Sequence, residues 1–267
     1  MNVLSDEAIA LHKEYASTHF NKGIAHSSLG ETLEAIEAFT NGLAFNPNDD
    51  RIRHLLGGAL LSRAKALQPA SKEAEEYLSR AMIHINDSIA NDAKNPSALH
   101  LRCEIGNLLG YEAKENLHFC TSALNANRKN LVSLSILDKD VTLNLLGIIT
   151  KNMLLHTEAI EYFSQGLEVN PESYDLLVNL ASIHSDTGNH VRANIYFEQA
   201  EALNIDNPLL RAYLLANKGW DKEKQGLRLA ARDLYQQAIQ LSEPHPHPQF
   251  VTNLHNIDRY CEVSQCN

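Results

Sequence analysis

Long apolar runs are missing from this chain of 267 residues. The most hydrophobic stretch, Leu143 to Leu155, is interrupted by Asn144, Thr150, Lys151 and Asn152, whereas a membrane-spanning helix needs about twenty consecutive apolar residues. No membrane insertion is expected. Aromatic residues are scarce at 6%, and 12 glycines with 8 prolines are too few for a collagen-like chain or a turn-rich β-sandwich. The four cysteines, Cys103, Cys120, Cys261 and Cys266, lie far apart or at the tail. That pattern does not suit a disulfide framework and reads as reduced thiols in a cytoplasmic protein. Basic residues are outnumbered 23 to 33, giving a net charge of −10, and no basic stripe offsets this, so no nucleic-acid partner is expected. The opening Met1-Asn2-Val3-Leu4-Ser5-Asp6-Glu7 carries acids where a secretory signal wants positive charge, and secretion is not expected.

Chemistry-bearing motifs are absent too. There is no GxGxxG, P-loop, HExxH or GxSxG pattern, so the expectation is a protein that is not an enzyme and takes no cofactor. Thirteen histidines are many. His54 and His100 occupy equivalent places in neighbouring segments but have no carboxylate or cysteine at ligand spacing. His245 and His247 with Cys261 and Cys266 likewise lack CxxC or HxxxH spacing. These histidines read as structural, Cys103 and Cys120 read as packing thiols, and no metal site is expected.

Apolar residues still make up 44% of the chain, enough for a substantial core, and they recur on a fixed ruler. Gly147, Ala159, Phe163, Gly166 and Pro171 follow one another at intervals of 12, 4, 3 and 5. Ala181, Ala193, Phe197 and Ala200 repeat the first three intervals 34 residues later. Gly219, Ala231, Tyr235 and Ala238 do so again, and Gly23, Ala35, Phe39, Gly42 and Pro47 reproduce the full set. The physical content is a helical hairpin. Small residues let its two helices approach closely, and a large ring then fills the remaining space to native density. Leu29-Gly30, Thr187-Gly188 and Gln225-Gly226 supply glycine where a helix ends in left-handed geometry. Asn46-Pro47 and Asn170-Pro171 close the unit, since the residue before proline is pushed out of helical geometry.

These residues resemble the tetratricopeptide repeat family. The match is strong over 16–49, 140–173, 174–207 and 212–243, about half of the chain. The resemblance implies an all-α fold, a right-handed α-α superhelix (solenoid) of about six helix-hairpin repeats plus a C-terminal cap helix. The repeats fall near 16–49, 50–95, 96–130, 140–173, 174–207 and 212–243, forming an array over 16–243. A helical extension over 1–15 precedes it, starting near Ser5, and a proline-rich turn and cap helix follow over 244–267. Within the cap, Phe250, Leu254, Ile257 and Cys261 share one helical face. Repeat two keeps Gly57 but places Ala81, Ile85 and Ser88 some 12 residues late, which predicts longer helices around 64–72. Repeat three keeps Leu109-Gly110 and Phe119 and puts Cys103 and Glu115 at its small-residue sites, with about ten extra residues before repeat four.

In this family the first helices of successive hairpins line a concave groove, so the resemblance implies a protein or peptide partner held there. Asn21, Asn179 and Asn217 stand two residues before the small hairpin residue, and Asn144 holds a groove position in repeat four. An asparagine offers donor and acceptor together, so a row of them can grip the backbone of an extended peptide. Phe20, Tyr213 and Trp220 are candidate aromatic anchors. Two blander readings stand beside these: solvated asparagines on exposed helix faces, and Trp220 packed beneath the cap helix. The clamp-like positions, Phe20 and Ile24, Asn144 and Ile148, Val178 and Ser182, Tyr213 and Asn217, contain no basic residue. The family's carboxylate clamp for acidic chaperone C-termini is therefore not expected. An alternative role is a structural subunit of a multi-protein complex, using its convex face or insertions at 64–75 and 127–139.

Overall fold

The computed structural model describes residues 6–67, 71–129, 136–244 and 246–264, and divides into two compact units, Met1–Asp138 and Lys139–Asn267. Among the described residues there are thirteen helices and no strand. The first unit holds three hairpins: α1 (Asp6–Ser28) with α2 (Thr32–Phe45), α3 (Asp50–Lys65) with α4 (Lys72–Asn91), and α5 (Pro96–Leu108) with α6 (Ala113–Lys129). The helix α7 (Ile136–Asn152) enters the second unit and pairs with α8 (His156–Val169). There follow α9 (Tyr174–Asp186) with α10 (His190–Ala202), α11 (Pro208–Lys224) with α12 (Arg228–Leu241), and the cap α13 (Pro248–Ser264) against α12. The expected helix start at Ser5 lies outside the described residues, as do His245, Cys266 and parts of both expected insertions. No described helix is long and apolar enough to cross a membrane.

Local chemistry sets the helix ends. Asp49, Ser71, Asn95 and Asn207 each accept a hydrogen bond from backbone N–H groups in the first turn of α3, α4, α5 and α11. Pro96 and Pro208 follow directly, where a missing N–H costs nothing. Glycines at φ between +72° and +78° end α1, α5, α9 and α11. In repeat four the same left-handed position falls to Leu154, at φ +62°. Its side chain is 74% exposed and packs on little, so only the backbone cost remains. Leu154→Gly is expected to stabilise the protein by about 1 kcal/mol, read as a higher urea midpoint.

The hairpin lock is the one the spacing predicts. A Cβ placed on Gly147 would stand 2.3 Å from the Phe163 ring, on Gly23 2.4 Å from Phe39, and on Gly219 2.9 Å from Tyr235. Phe39, Phe163, Phe197 and Tyr235 are among the largest fully buried side chains. Successive hairpins meet the same way, because Gly42 lies under Ile52 and Gly166 under Leu176. In repeat two a Cβ on Gly57 would meet Ile85 at 2.5 Å, and Ala81, Ile85 and Ser88 are buried, as the lengthened helices require. On α13, Phe250 and Ile257 are buried, with Leu254 and Cys261 packed beside them.

Repeat three departs from the ruler. Its turn carries one residue more than its counterparts: both Tyr111 and Glu112 stand between Gly110 and the first residue of α6, where Glu31 alone does so after Gly30. Every inward position of α6 therefore moves one residue on, and Asn116, Cys120 and Ala123 are buried in place of Glu115, Phe119 and Ser122. Glu115 pairs instead with the buried Arg102, whose guanidinium lies 4.5 Å from the Phe119 ring centroid. Cys120 thus takes the place of the large ring opposite Cys103, and the two are joined as a disulfide, their Cα atoms 5.2 Å apart. This corrects the expectation of separate packing thiols. Cys261 is disulfide-bonded as well, so the cysteine argument for a reducing, cytoplasmic setting loses its premise.

Candidate functional site

Within the second unit the first helices α7, α9 and α11 bring a row of polar side chains together. The Asn179 amide donates to Asn144 Oδ1 at 2.8 Å, forming a rung between α9 and α7. Seven residues further along each helix, on nearly the same face, a second rung forms. Lys151 Nζ lies 3.1 Å from Asp186 Oδ2 and donates to Ser182 Oγ at 2.7 Å. The Trp220 indole N–H donates to Asp186 Oδ1 at 2.9 Å, carrying the rung across to α11. Burial works against ionisation of Asp186, but the indole N–H and the ammonium groups of Lys151 and Lys224 outweigh it and hold its carboxyl below the ordinary range. The carboxylate is therefore charged throughout the neutral range.

The second rung borders a cavity of about 390 Å³, lined by Lys151, Ser182, Asp186, Tyr213, Asn217 and Trp220 on the repeat side and by His247, Phe250 and Asn253 on the cap side. Tyr213 is set edge-on to both His247 and Phe250, with ring centroids 5.3 and 5.2 Å away, so the cap closes one end of the row with aromatic surface. The Asn217 amide donates to its own helix at Tyr213 O, 2.9 Å. Its carbonyl oxygen accepts no bond from the described residues.

Of the residues expected from sequence, Asn144, Asn179, Tyr213, Asn217 and Trp220 are gathered in this unit. Phe20 and Asn21 belong to the first unit, where Phe20 packs against the core with Arg51 5.0 Å over its ring, and Asn21 is exposed. Trp220 is half-buried and lines the cavity together with residues of the cap. Lys151 and Asp186 were missed. The available signal was their separation of 35 residues, the same as between Asn144 and Asn179. In the first unit Glu104 stands 3.6 Å from His100 and 2.7 Å from Lys65, a carboxylate neighbour that the sequence reading overlooked. Among the described residues no group of three or more His, Cys, Asp or Glu side chains converges as a metal site would.

Sequence profiles of the tetratricopeptide repeat match residues 16–49 and 155–208. The chain carries tetratricopeptide repeats. Comparison with curated proteins finds no match. Among solved structures, it is similar to Pseudomonas aeruginosa PilF, with a TM-score of 0.66 and 15% identity over 93% of this chain and 99% of that one. A tetratricopeptide repeat protein from Parabacteroides merdae aligns with a TM-score of 0.59 and 15% identity, covering 92% and 99%. YrrB, described as having an unusual peptide-binding site, aligns with a TM-score of 0.54 and 18% identity, covering 84% and 100%. At these identities the likeness is one of fold.

Proposed function

We propose that this protein is a non-enzymatic scaffold or adaptor whose row on α7, α9 and α11 binds an extended peptide segment of a partner protein. The observation that carries the reading is the pair of rungs, Asn144–Asn179 and Lys151–Asp186–Trp220, the second of which borders a cavity with an aromatic end wall. Side-chain amides spaced along one face meet the alternating N–H and C=O groups of a strand-like ligand, and Tyr213 and Trp220 supply apolar anchoring. A peptide-binding site described for YrrB, a relative in fold, is consistent with this use.

The test is selection from a random dodecapeptide phage library on the intact chain, followed by fluorescence anisotropy with synthetic versions of the selected peptides. Asn179→Ala with Asn217→Ala is expected to weaken binding about tenfold or more, as loss of one or two hydrogen bonds would, while the thermal midpoint stays within a few degrees. Unchanged affinity in that variant would remove the groove reading.

A second reading, a structural subunit contacting its complex elsewhere, is favoured by exposed apolar residues at the hairpin turns of the second unit. Leu154, Val191, Leu227 and Leu229 are 74%, 76%, 50% and 53% exposed. It predicts that a partner is retained when the asparagines are replaced.

A further inference from the structure

Lys224 closes α11 and Arg228 opens α12, on either side of the Gln225-Gly226 turn. The neighbouring cations are engaged with acids: Lys218 lies 2.7 Å from Glu201, Arg232 lies 2.6 Å from Asp258, and Lys222 lies 4.0 Å from Asp221. Lys224 and Arg228 are not within ion-pair distance of any carboxylate among the described residues, although Lys224 is near enough to Asp186 to help lower its carboxyl. Each is held over an aromatic face instead. Lys224 Nζ lies 4.5 Å from the Trp220 ring centroid, and Arg228 Cζ lies 3.8 Å from that of Tyr260 on α13. Trp220, Lys224, Arg228, Tyr260 and Asn256 line a cavity of about 330 Å³ with Ile257 in its wall. Glu223 borders it too, but its carboxylate accepts the Tyr235 hydroxyl at 3.1 Å.

A guanidinium stacked flat on a ring keeps its N–H edge free, in the plane that suits two parallel bonds to a carboxylate. The ammonium of Lys224 adds a second donor at the same mouth, and the two rings offer apolar surface to the methylenes of an acidic side chain. The charge distribution favours the same ligand. Residues 139–206 carry ten acids against three bases, whereas residues 207–267 carry six acids against seven bases, so an anionic group is drawn towards this end of the unit. Trp220 is a wall both of this pocket and of the cavity beside the asparagine row. The two spaces share that indole as a wall, which sets this pocket next to the row. The pocket lies apart from the clamp-like positions of the first helices that contain no base.

We infer that this pocket receives an aspartate or glutamate side chain of the bound segment, so that the partner is recognised by an extended stretch carrying an acidic residue at one fixed place. This rests on the peptide-binding reading above. The probes are the dodecapeptides selected on the intact chain, remade with amidated C-termini so that side chains alone supply carboxylates. The expected result is enrichment of Asp or Glu at one position. Lys224→Glu with Arg228→Glu should then lower affinity about tenfold or more, as should replacing that peptide acid by its amide. Lys224 is exposed and Arg228 half-buried, and neither makes an ion pair, so the variant should keep its helical circular dichroism and a thermal midpoint within a few degrees. Selected peptides that depend on Asn179 and Asn217 but show no acidic position and ignore the Lys224 and Arg228 changes would overturn the pocket and leave the groove standing. Peptides that ignore the asparagines would overturn the groove reading, and failure to select any peptide would overturn both.

Discussion

Phe163→Ala is expected to destabilise the second unit by about 3–5 kcal/mol, among the largest single-residue effects in the chain. The ring is fully buried, with Ala159 and Leu176 also fully buried around it, and it occupies the space directly above Gly147. Removing it leaves a void on the floor of one hairpin and under the first helix of the next, and neither helix can collapse without breaking its contacts with the other. The converse change tests the same contact. Gly147→Val brings atoms to within 2.3 Å of a ring that cannot move, so it should also destabilise strongly. The two changes together should cost less than their sum, because the valine methyls enter the space that the ring has left. Trp220, the single tryptophan, lies in the second unit and reports its unfolding by fluorescence in a urea titration. A loss below about 1 kcal/mol for Phe163→Ala would contradict the lock.

The repeat was legible because that lock is a matter of size, and size is written in the sequence. Gly23 with Phe39, Gly147 with Phe163 and Gly219 with Tyr235 could be paired on spacing alone, since two α-helices joined by a turn of fixed length bring fixed residues together. Repeat three was misread for the same reason. The extra residue at Tyr111–Glu112 lengthens the turn, and a ruler that counts residues cannot tell a residue in a turn from one in a helix. The site shows the same division. The repeat places Asn144, Asn179 and Trp220 on first helices, but the Asn144–Asn179 bond spans 35 residues against a ruler of 34 and was not foreseen, and Lys151 and Asp186 lie beyond the positions nearest the small hairpin residue. Tyr213 meets His247 and Phe250 through a proline-rich turn whose path no period describes. Lys224 and Arg228 were visible as charges, but that they lie over the rings of Trp220 and Tyr260 depends on where α11 and α13 place those rings.

The Cys103–Cys120 bond carries the second large prediction. The two residues are 17 apart in sequence, and a cross-link closing a loop of that order stabilises by about 3 kcal/mol through the entropy it removes from the unfolded chain. Reduction, or Cys103→Ala with Cys120→Ala, is expected to lower the stability of the first unit by about that amount. The pairing itself is checked by alkylating the denatured chain before and after reduction. Cys103 and Cys120 should resist labelling until reductant is added, and full labelling without reductant would show that they are not bonded. A further variant separates covalent from packing effects. Cys103 stands where the other repeats place Gly or Ala, and Cys120 stands where they place Phe, Tyr or, in repeat two, Ile85, once the longer turn is allowed for. If the bonded sulfurs fill the space that a ring fills elsewhere, Cys103→Gly with Cys120→Phe should recover more stability than the double alanine form and be insensitive to reductant. Recovery no better than alanine would mean that repeat three is shaped to the sulfur pair and has left the rule its neighbours follow.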